Sequence, residues 1–181
     1  MILLYGPAGS GKTTQGRIMA EKHGWKFVSA GDLLREKAKT DRNLATIMTE
    51  GNLVPSGIVN ELIFNVADPV GGGHIIIDGY PRETEELEDL VERYGSSMIA
   101  VAVVFELSEV ETINRLKLRG RSDDDEAGIK RRLDIYHQEM SAILELLDKH
   151  QVRVLRVDAS PSVEEISDNL DKELQKWQVI T

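Results

Sequence analysis

An eight-residue loop near the start of the chain, residues 6–13, constrains the fold more than any other feature. It reads Gly-Pro-Ala-Gly-Ser-Gly-Lys-Thr and fits the pattern G-x-x-x-x-G-K-[ST], in which backbone N–H groups surround a polyphosphate. An apolar run at residues 2–5 precedes it, and residues 14–20 follow it with helical spacing. Strand, glycine loop and helix in this order predict a nucleoside triphosphate site at the carboxyl end of the first strand.

The residue types in the loop suit triphosphate chemistry. Gly6, Gly9 and Gly11 permit positive φ angles and a close approach of the backbone to the ligand. Lys12 is a cation aimed at the β- and γ-phosphates, and the Thr13 hydroxyl is a predicted ligand of Mg²⁺. The predicted donor-site residues of this segment are Gly9, Ser10, Gly11, Lys12, Thr13 and Thr14.

Length and composition are those of an ordinary single-domain enzyme. A chain of 181 residues can bury a full core. Its 22 basic and 31 acidic residues give a net charge of -9, which argues against nucleic acid as the main partner. The absence of cysteine excludes disulfides and thiolate metal sites, so we expect no zinc.

The beginning of the chain and its hydropathy bear on location. Met1 leads directly into the first predicted strand, which leaves no room for a signal peptide. No apolar run approaches the ~20 residues that a membrane span needs. We therefore expect a cytoplasmic protein with no membrane association.

Strand-like and helical patterns alternate along the chain. The apolar runs that predict strands are residues 2–5, 26–29, 74–77, 98–107 and 152–157. Helical patterns run over residues 84–94, from about 124 to 149, and over 162–177, where Ser162 and Glu165 form a capping box. The predicted fold class is α/β, a three-layer αβα sandwich with a five-stranded parallel sheet of the P-loop NTPase type.

Residues 30–58 interrupt this alternation. They contain short helical stretches without a strand, separated by Gly31, Gly51, Pro55 and Gly57. The pattern predicts a small helical excursion from the core, and an ordinary pair of surface helices is the alternative.

Further motifs follow the loop in a fixed order. They are Ser-Ala-Gly-Asp-Leu-Leu-Arg at 29–35, Gly-Asn-Leu-Val-Pro at 51–55, Asp-Gly-Tyr-Pro-Arg-Glu at 78–83, and Arg115, Arg119, Arg121, Asp123, Asp124 and Arg132. With the loop, they resemble the adenylate kinase family of nucleoside monophosphate (NMP) kinases over essentially the whole chain. The resemblance implies one kinase domain over residues 1–181, with a core of 1–29, 59–118 and 125–181, an NMP-binding region at 30–58 and a short lid at 119–124.

The residue types agree with phosphoryl transfer between two nucleotides. Asp78 ends an apolar strand, where its carboxylate can hold magnesium-bound water opposite Thr13. A role confined to the turn before Gly79 is the alternative. Transfer requires the protein to align two polyanions and neutralise the phosphoryl oxygens, which guanidinium groups do in bidentate fashion.

The resemblance implies a role for each charged residue. Arg35 and Arg82 bind the acceptor phosphate, and Arg119, Arg121 and Arg132 converge on the transferred phosphoryl group. Asp123 and Asp124 orient those arginines in the closed state, or else form the acidic N-terminus of the long helix. The implied catalytic set is Lys12, Arg82, Arg119, Arg121, Arg132, Asp123 and Asp124.

The resemblance also assigns residues to the two nucleotides. Arg115, Arg119 and Pro161 join the loop in the ATP site. The implied NMP site consists of Ala30, Arg35, Leu53, Val54, Gly79, Arg82, Glu86, Arg121 and Arg132.

Two acceptor-site positions depart from the adenylate pattern. Ala30 replaces a usual threonine and Glu86 a usual glutamine. A glutamine amide can donate to adenine N1, whereas an ionised carboxylate can only accept, which suits the two N–H donors of guanine better. Alternatively, Glu86 lies on an acidic, solvent-facing side of its helix, and base selection rests on backbone groups near Val54.

The predicted function is that of an adenylate kinase: a monomer that transfers a phosphoryl group reversibly from ATP to AMP, with Mg²⁺, to give two ADP. A UMP/CMP kinase or another NMP kinase is the alternative, with GMP as a candidate acceptor because of Glu86. A nucleotide-dependent binding switch without catalysis is a third, less favoured hypothesis.

Overall fold

The computed structural model describes residues 1–120 and 125–180. Five strands are found there, β1 (Ile2–Tyr5), β2 (Lys26–Ser29), β3 (Ile75–Asp78), β4 (Val101–Glu106) and β5 (Val154–Asp158). The helices of the same residues are α1 (Lys12–His23), α2 (Ala30–Ala38), α3 (Arg42–Thr49), α4 (Ser56–Ala67), α5 (Thr84–Tyr94), α6 (Glu109–Arg119), α7 (Glu126–Lys149) and α8 (Val163–Lys176).

All five strands pair in parallel in the order β2-β3-β1-β4-β5. The predicted sheet is therefore confirmed, with small differences at the strand ends. β3 begins one residue later than predicted because His74 has a positive φ of 48°. β4 begins at Val101 because Ser96–Met98 form a short 3-10 turn before it.

Helices cover both faces of the sheet, as predicted. Alternate side chains of β1 serve the two layers, because successive strand residues point to opposite faces. Leu3 and Tyr5 pack in the layer with α3, α4, α5 and α7, and Ile2 and Leu4 pack in the layer with α1 and α8. Within the described residues, no helix has both the length and the apolar character to cross a bilayer.

The segment 30–58 is helical, as its sequence predicts. The side chain of Ser29 caps α2 by accepting from the Asp32 N–H, and that of Asp41 caps α3 by accepting from the Leu44 N–H. Leu44 is 1% exposed and packs in the core layer, so the segment is anchored rather than a pair of free surface helices. The expected boundary at residue 58 falls inside α4, which runs from Ser56 to Ala67.

Candidate active site

The glycine loop connects the central strand β1 to α1. Gly6, Gly9 and Gly11 all have positive φ, at 141°, 87° and 87°, as predicted. A Cβ on Gly6 would lie 2.6 Å from the carbonyl oxygen of Phe105 on β4, so only glycine lets the loop pass so close to the neighbouring strand. α1 begins at Lys12, and the unpaired N–H groups of its first turn form an anion-binding surface.

Lys12 holds its ammonium group over this loop. Its Nζ donates to the carbonyl oxygens of Gly6 and Pro7, each at 2.7 Å. Burial lowers the pKa of Lys12 to about 8, and nearby Asp78 opposes this shift. Most molecules therefore carry the charge at neutral pH, and the lysine both stabilises the loop and offers a cation to a phosphate.

Thr13 and Asp78 meet at the floor of the site. The Thr13 hydroxyl donates to Asp78 Oδ2 at 2.5 Å, and Asp78 is the last residue of β3, 4% exposed. This contact favours a role in the site over one confined to the turn. Two side-chain oxygens at this point fit the preference of Mg²⁺, which keeps several of its waters and takes few protein ligands.

A cavity of about 450 Å³ lies over the carboxyl ends of the strands. Residues predicted for the donor line part of it, namely Gly9, Gly11, Lys12, Thr13, Thr14, Arg115 and Arg119. Residues predicted for the acceptor line the same cavity: Ala30, Arg35, Leu53, Val54, Gly79, Arg82, Glu86 and Arg132. Asp78 lines it as well. The structure thus brings most of the predicted set together around a single space.

A few predicted residues have other positions. Ser10 is fully buried in the loop rather than in the cavity wall. Pro161 is exposed and follows Ser160, whose carbonyl oxygen accepts a hydrogen bond from Arg115. Arg121, Asp123 and Asp124 lie outside the described residues.

Three arginines reach the acceptor part from different elements. Arg35 belongs to α2 and donates to Asp32 Oδ1 at 2.5 Å. Arg82 follows β3 and donates through Nε to the Gly79 carbonyl at 3.0 Å. Arg132 belongs to α7 and lines the same space. Their convergence gives the cavity the positive field that two phosphate chains require.

An arginine on α6 is held in place in the donor part of the cavity. Arg115 on α6 donates to Glu111 Oε1 at 2.9 Å and to the Ala159 carbonyl oxygen at 2.9 Å. These bonds fix the guanidinium between α6 and the segment after β5. Arg119 is the last residue of α6 and also lines the cavity.

Glu86 is buried, with 2% of its surface exposed. It occupies the third position of α5 and turns back over the start of the helix, where Oε2 accepts from the N–H groups of Arg82 (2.6 Å) and Glu83 (3.3 Å). The alternative that placed it on the solvent side of the helix is therefore wrong. Burial raises the pKa of Glu86 to about 7, although the two backbone donors oppose the shift.

Comparison with known proteins agrees with the geometry. The family model described as adenylate kinase matches residues 4–152. An adenylate kinase of Synechococcus sp. (strain WH7803) is 34% identical over 181 residues, 96% of this chain and 97% of that protein. An adenylate kinase of Mycobacterium sp. (strain MCS) is 36% identical over 172 residues, 91% and 93% of the two chains. The chain belongs to the adenylate kinase family.

Membership of the adenylate kinase family confirms the resemblance read from the motifs. The motifs identify charged and glycine positions, but they do not identify the apolar wall of the cavity. That wall includes Leu34, Met48, Val59, Ile135, Met140 and Ile143. Met140 and Ile143 belong to the helical pattern of α7, and periodicity alone does not distinguish a cavity-lining residue from a core residue.

Tyr5 is a further cavity residue that the motifs do not identify. It ends β1, lines the cavity and is 6% exposed. Its hydroxyl is enclosed and makes no hydrogen bond within the described part of the chain. Burial, and next the charge of Glu86, raise the pKa of this hydroxyl, so Tyr5 is a neutral neighbour of the Glu86 carboxyl group.

Proposed function

We propose that this member of the adenylate kinase family transfers a phosphoryl group reversibly from ATP to AMP, giving two ADP. The observation that carries the proposal is the shared cavity. The loop with Lys12 lies in the same space as Arg35, Arg82 and Arg132. A site built for one nucleotide would not need a second set of phosphate-binding cations.

In the proposed mechanism, the loop N–H groups and Lys12 bind the β- and γ-phosphates of ATP. Arg115 lies near the donor adenine, and Arg35 and Arg82 hold the phosphate of the acceptor. Arg119, Arg121 and Arg132 neutralise the transferred group, and Asp123 and Asp124 orient these arginines in the closed state, the roles that the family resemblance implies. Both substrates are bound together, so transfer is direct and needs no phosphoenzyme.

Thr13 and Asp78 would hold Mg²⁺, directly or through its waters. When bound, the ion neutralises charge on the phosphate oxygens. The proposal includes no zinc. It also includes a cytoplasmic monomer with no nucleic-acid or membrane partner, which sedimentation of the purified protein and cell fractionation would test.

The main alternative to this proposal concerns the base of the acceptor nucleotide. Ala30 and Glu86 both line the cavity and both depart from the adenylate pattern. An ionised Glu86 would accept from the N–H groups of guanine, uracil or cytosine, which favours GMP, or UMP and CMP, as acceptors. A binding switch without catalysis is disfavoured because acceptor-side arginines accompany the loop.

A panel of acceptors tests the proposal. Magnesium-ATP is incubated with AMP, GMP, UMP or CMP, and the diphosphate products are quantified; we expect AMP to give the highest kcat/KM. Lys12→Ala should lower kcat by orders of magnitude because it removes the phosphate-directed cation. Lys176→Ala removes the same charge from the exposed end of α8 and should leave kcat unchanged.

Two outcomes would contradict the proposal. Near-normal turnover by Lys12→Ala would exclude the assigned donor site. A wild-type protein that binds ATP but converts none of the four acceptors would be a switch rather than a kinase. Thermal unfolding of each variant serves as the check that the fold is intact, since Lys12 also bonds the loop carbonyls.

A further inference from the structure

The two carboxylate oxygens of Glu86 have different surroundings. Oε2 accepts from the backbone N–H groups of Arg82 and Glu83. Oε1 accepts no hydrogen bond from the described residues. The described side-chain oxygens that are fully enclosed and lack a partner are Tyr5 Oη, Gln15 Oε1 and Thr112 Oγ1. Oε1 of Glu86 is not one of them, so it is not fully enclosed. Because Glu86 lines the cavity, Oε1 is the oxygen that opens to it.

The groups around Glu86 offset only part of the cost of burying its charge. Tyr5 ends β1, and Tyr80 donates its hydroxyl hydrogen to Asn60 on α4 at 2.6 Å, which leaves uncharged groups on those sides. Among the described residues, the charged groups in this part of the cavity or acting on Glu86 include Arg82 and Glu83 beside α5, Asp78 at the end of β3, Arg35 on α2, and Arg132 and Glu139 on α7. Burial outweighs them, and the pKa of Glu86 lies at about 7.

The proton of a neutral Glu86 belongs on Oε1. Oε2 already accepts two N–H groups, so a hydrogen there would displace these bonds. A protonated Oε1 donates a hydrogen bond into the cavity, and an ionised Oε1 accepts one. Loss of one proton therefore reverses the hydrogen-bonding character of the same atom without moving the helix.

Adenine and guanine differ at ring N1, the atom that would pair with Glu86 Oε1. Adenine presents a lone pair at ring N1, and guanine presents an N1–H group. The protonated carboxyl group complements adenine as a glutamine amide would, and the carboxylate complements guanine. The two bases are of similar size.

We propose that Glu86 selects the acceptor base through its protonation state: the acid form donates from Oε1 to adenine N1, and the carboxylate accepts from guanine N1–H. The proposal rests on the proposed function in one respect, namely that the cavity around Glu86 holds the acceptor base. The activity then favours AMP on the acid side of neutrality and loses that preference on the alkaline side.

The kinetic test compares wild type with Glu86→Gln between about pH 6 and pH 8.5. The amide keeps an oxygen for the backbone donors, as capping boxes allow, and fixes a donor in the place of Oε1. We expect the wild-type kcat/KM for AMP, divided by that of Glu86→Gln at the same pH, to fall by about tenfold per pH unit above neutrality. The titration of the substrate phosphates and of Lys12, and the pH dependence of magnesium binding, are common to both proteins and cancel in this ratio.

The binding test follows protons rather than turnover. Calorimetry of AMP binding near pH 8, in buffers of different ionisation enthalpy, should show that wild type takes up nearly one proton more than Glu86→Gln does, since any uptake at Lys12 is common to both proteins. The GMP affinity of wild type, divided by that of Glu86→Gln at the same pH, should be larger at pH 8 than at pH 6, because ionisation of the GMP phosphate is common to both proteins.

Glu85→Gln is the matched control. Glu85 is the preceding residue of α5 and is exposed, with its carboxylate accepting from Ser56 Oγ at 3.1 Å. It should keep the wild-type pH profile and proton uptake, because its charge does not face the base.

The outcomes separate this proposal from the function it rests on. Turnover of AMP with the same pH profile in wild type and Glu86→Gln would overturn the selection by Glu86 and leave the kinase assignment intact. A ratio of wild-type to Glu86→Gln affinity for GMP that does not increase with pH would overturn it as well. Absence of AMP turnover at every pH would overturn AMP as the acceptor in the proposed function, while proton uptake on AMP binding would still support the role of Glu86.

Discussion

At the residue scale, Glu86 combines two requirements that oppose each other. Its carboxyl group caps the first turn of α5 through two backbone N–H groups, and capping favours the ionised form. Its burial at 2% exposure favours the neutral form. Burial is the larger effect, so the folded protein holds the Glu86 proton to a higher pH than the unfolded chain does.

This difference predicts a pH-dependent stability. The pKa of Glu86 is about 7 in the folded state against 4.5 for the free side chain. Between these values the folded state binds more protons, so the free energy of unfolding falls as pH rises through this window. Glu86→Gln has no such titration. Its stability relative to wild type should therefore rise from pH 5 to pH 8, by up to roughly 3 kcal/mol.

Urea unfolding at the two pH values measures this change. All other titrating groups are common to the two proteins, so the difference between them isolates Glu86. Glu85→Gln should show no comparable change with pH. A constant difference between Glu86→Gln and wild type would mean that the Glu86 carboxyl group titrates as it does in water.

At the element scale, α1 and α8 cover one face of the sheet together and are joined by Asp171. This α8 residue is 7% exposed. It accepts hydrogen bonds from Lys22 and from His23 Nε2, the latter at 3.2 Å. The apolar contacts of the layer lie beside it, with Ile166, Leu170 and Leu174 on α8.

Removal of Asp171 should weaken this helix pair. Asp171→Ala leaves a half-buried lysine and a mostly buried histidine without their shared acceptor, which we expect to cost about 1–3 kcal/mol of unfolding free energy. Asp168→Ala, an exposed acid one turn earlier on α8, should cost much less. Chemical denaturation compares the two; equal losses would show that Asp171 acts only through net charge.

Helix α2 also provides a counter-ion for one of the arginines on the acceptor side of the cavity. Arginines that share a cavity repel one another in the absence of a polyanion, but Arg35 already has a counter-ion. Asp32, three residues before it on α2, accepts from Arg35 at 2.5 Å and from Arg17 at 2.8 Å. Asp32 therefore lessens the repulsion among the arginines that opposes closure. A phosphate bound at Arg35 has to compete with Asp32.

At the scale of the whole molecule, segment 30–58 touches the start of α7. Arg131 donates to the Glu50 carbonyl oxygen, and a Cβ on Gly51 would lie 3.4 Å from the Gly128 carbonyl oxygen. This segment forms one wall of the cavity and α7 forms another. Substrate binding should draw them together, because water left at the γ-phosphate would hydrolyse ATP.

A bisubstrate mimic, two adenosines joined by five phosphates, tests this closure. It should bind tightly, slow amide hydrogen exchange in residues 30–58 and near Gly120, and reduce the radius of gyration slightly, since part of the contact exists already. Adenosine without phosphates is the control and should do neither, because the driving force is the charge on the arginines. Unchanged hydrogen exchange on saturation with the mimic would contradict the prediction.

Local patterns were enough to predict much of this molecule. The loop at residues 6–13 and its three positive-φ glycines follow from residue types at fixed spacing, and all are found. The strands alternate with helices as predicted, and α5 has the predicted bounds of Thr84–Tyr94. These features are determined by backbone propensity, capping and periodicity over a few residues, which the chain encodes locally.

What the sequence by itself determined is thus the α/β class, the family and the charged and glycine positions of the site. The tertiary structure decided the rest: that Glu86 turns inward with one oxygen left open, that Asp32 is shared by two arginines, and that Tyr5, Met140 and Ile143 line the cavity. The physical reason is that an apolar or acidic residue has the same local signature in a core, on a surface or in a pocket. Its role is fixed by the elements that pack around it, which come together only when distant parts of the chain fold.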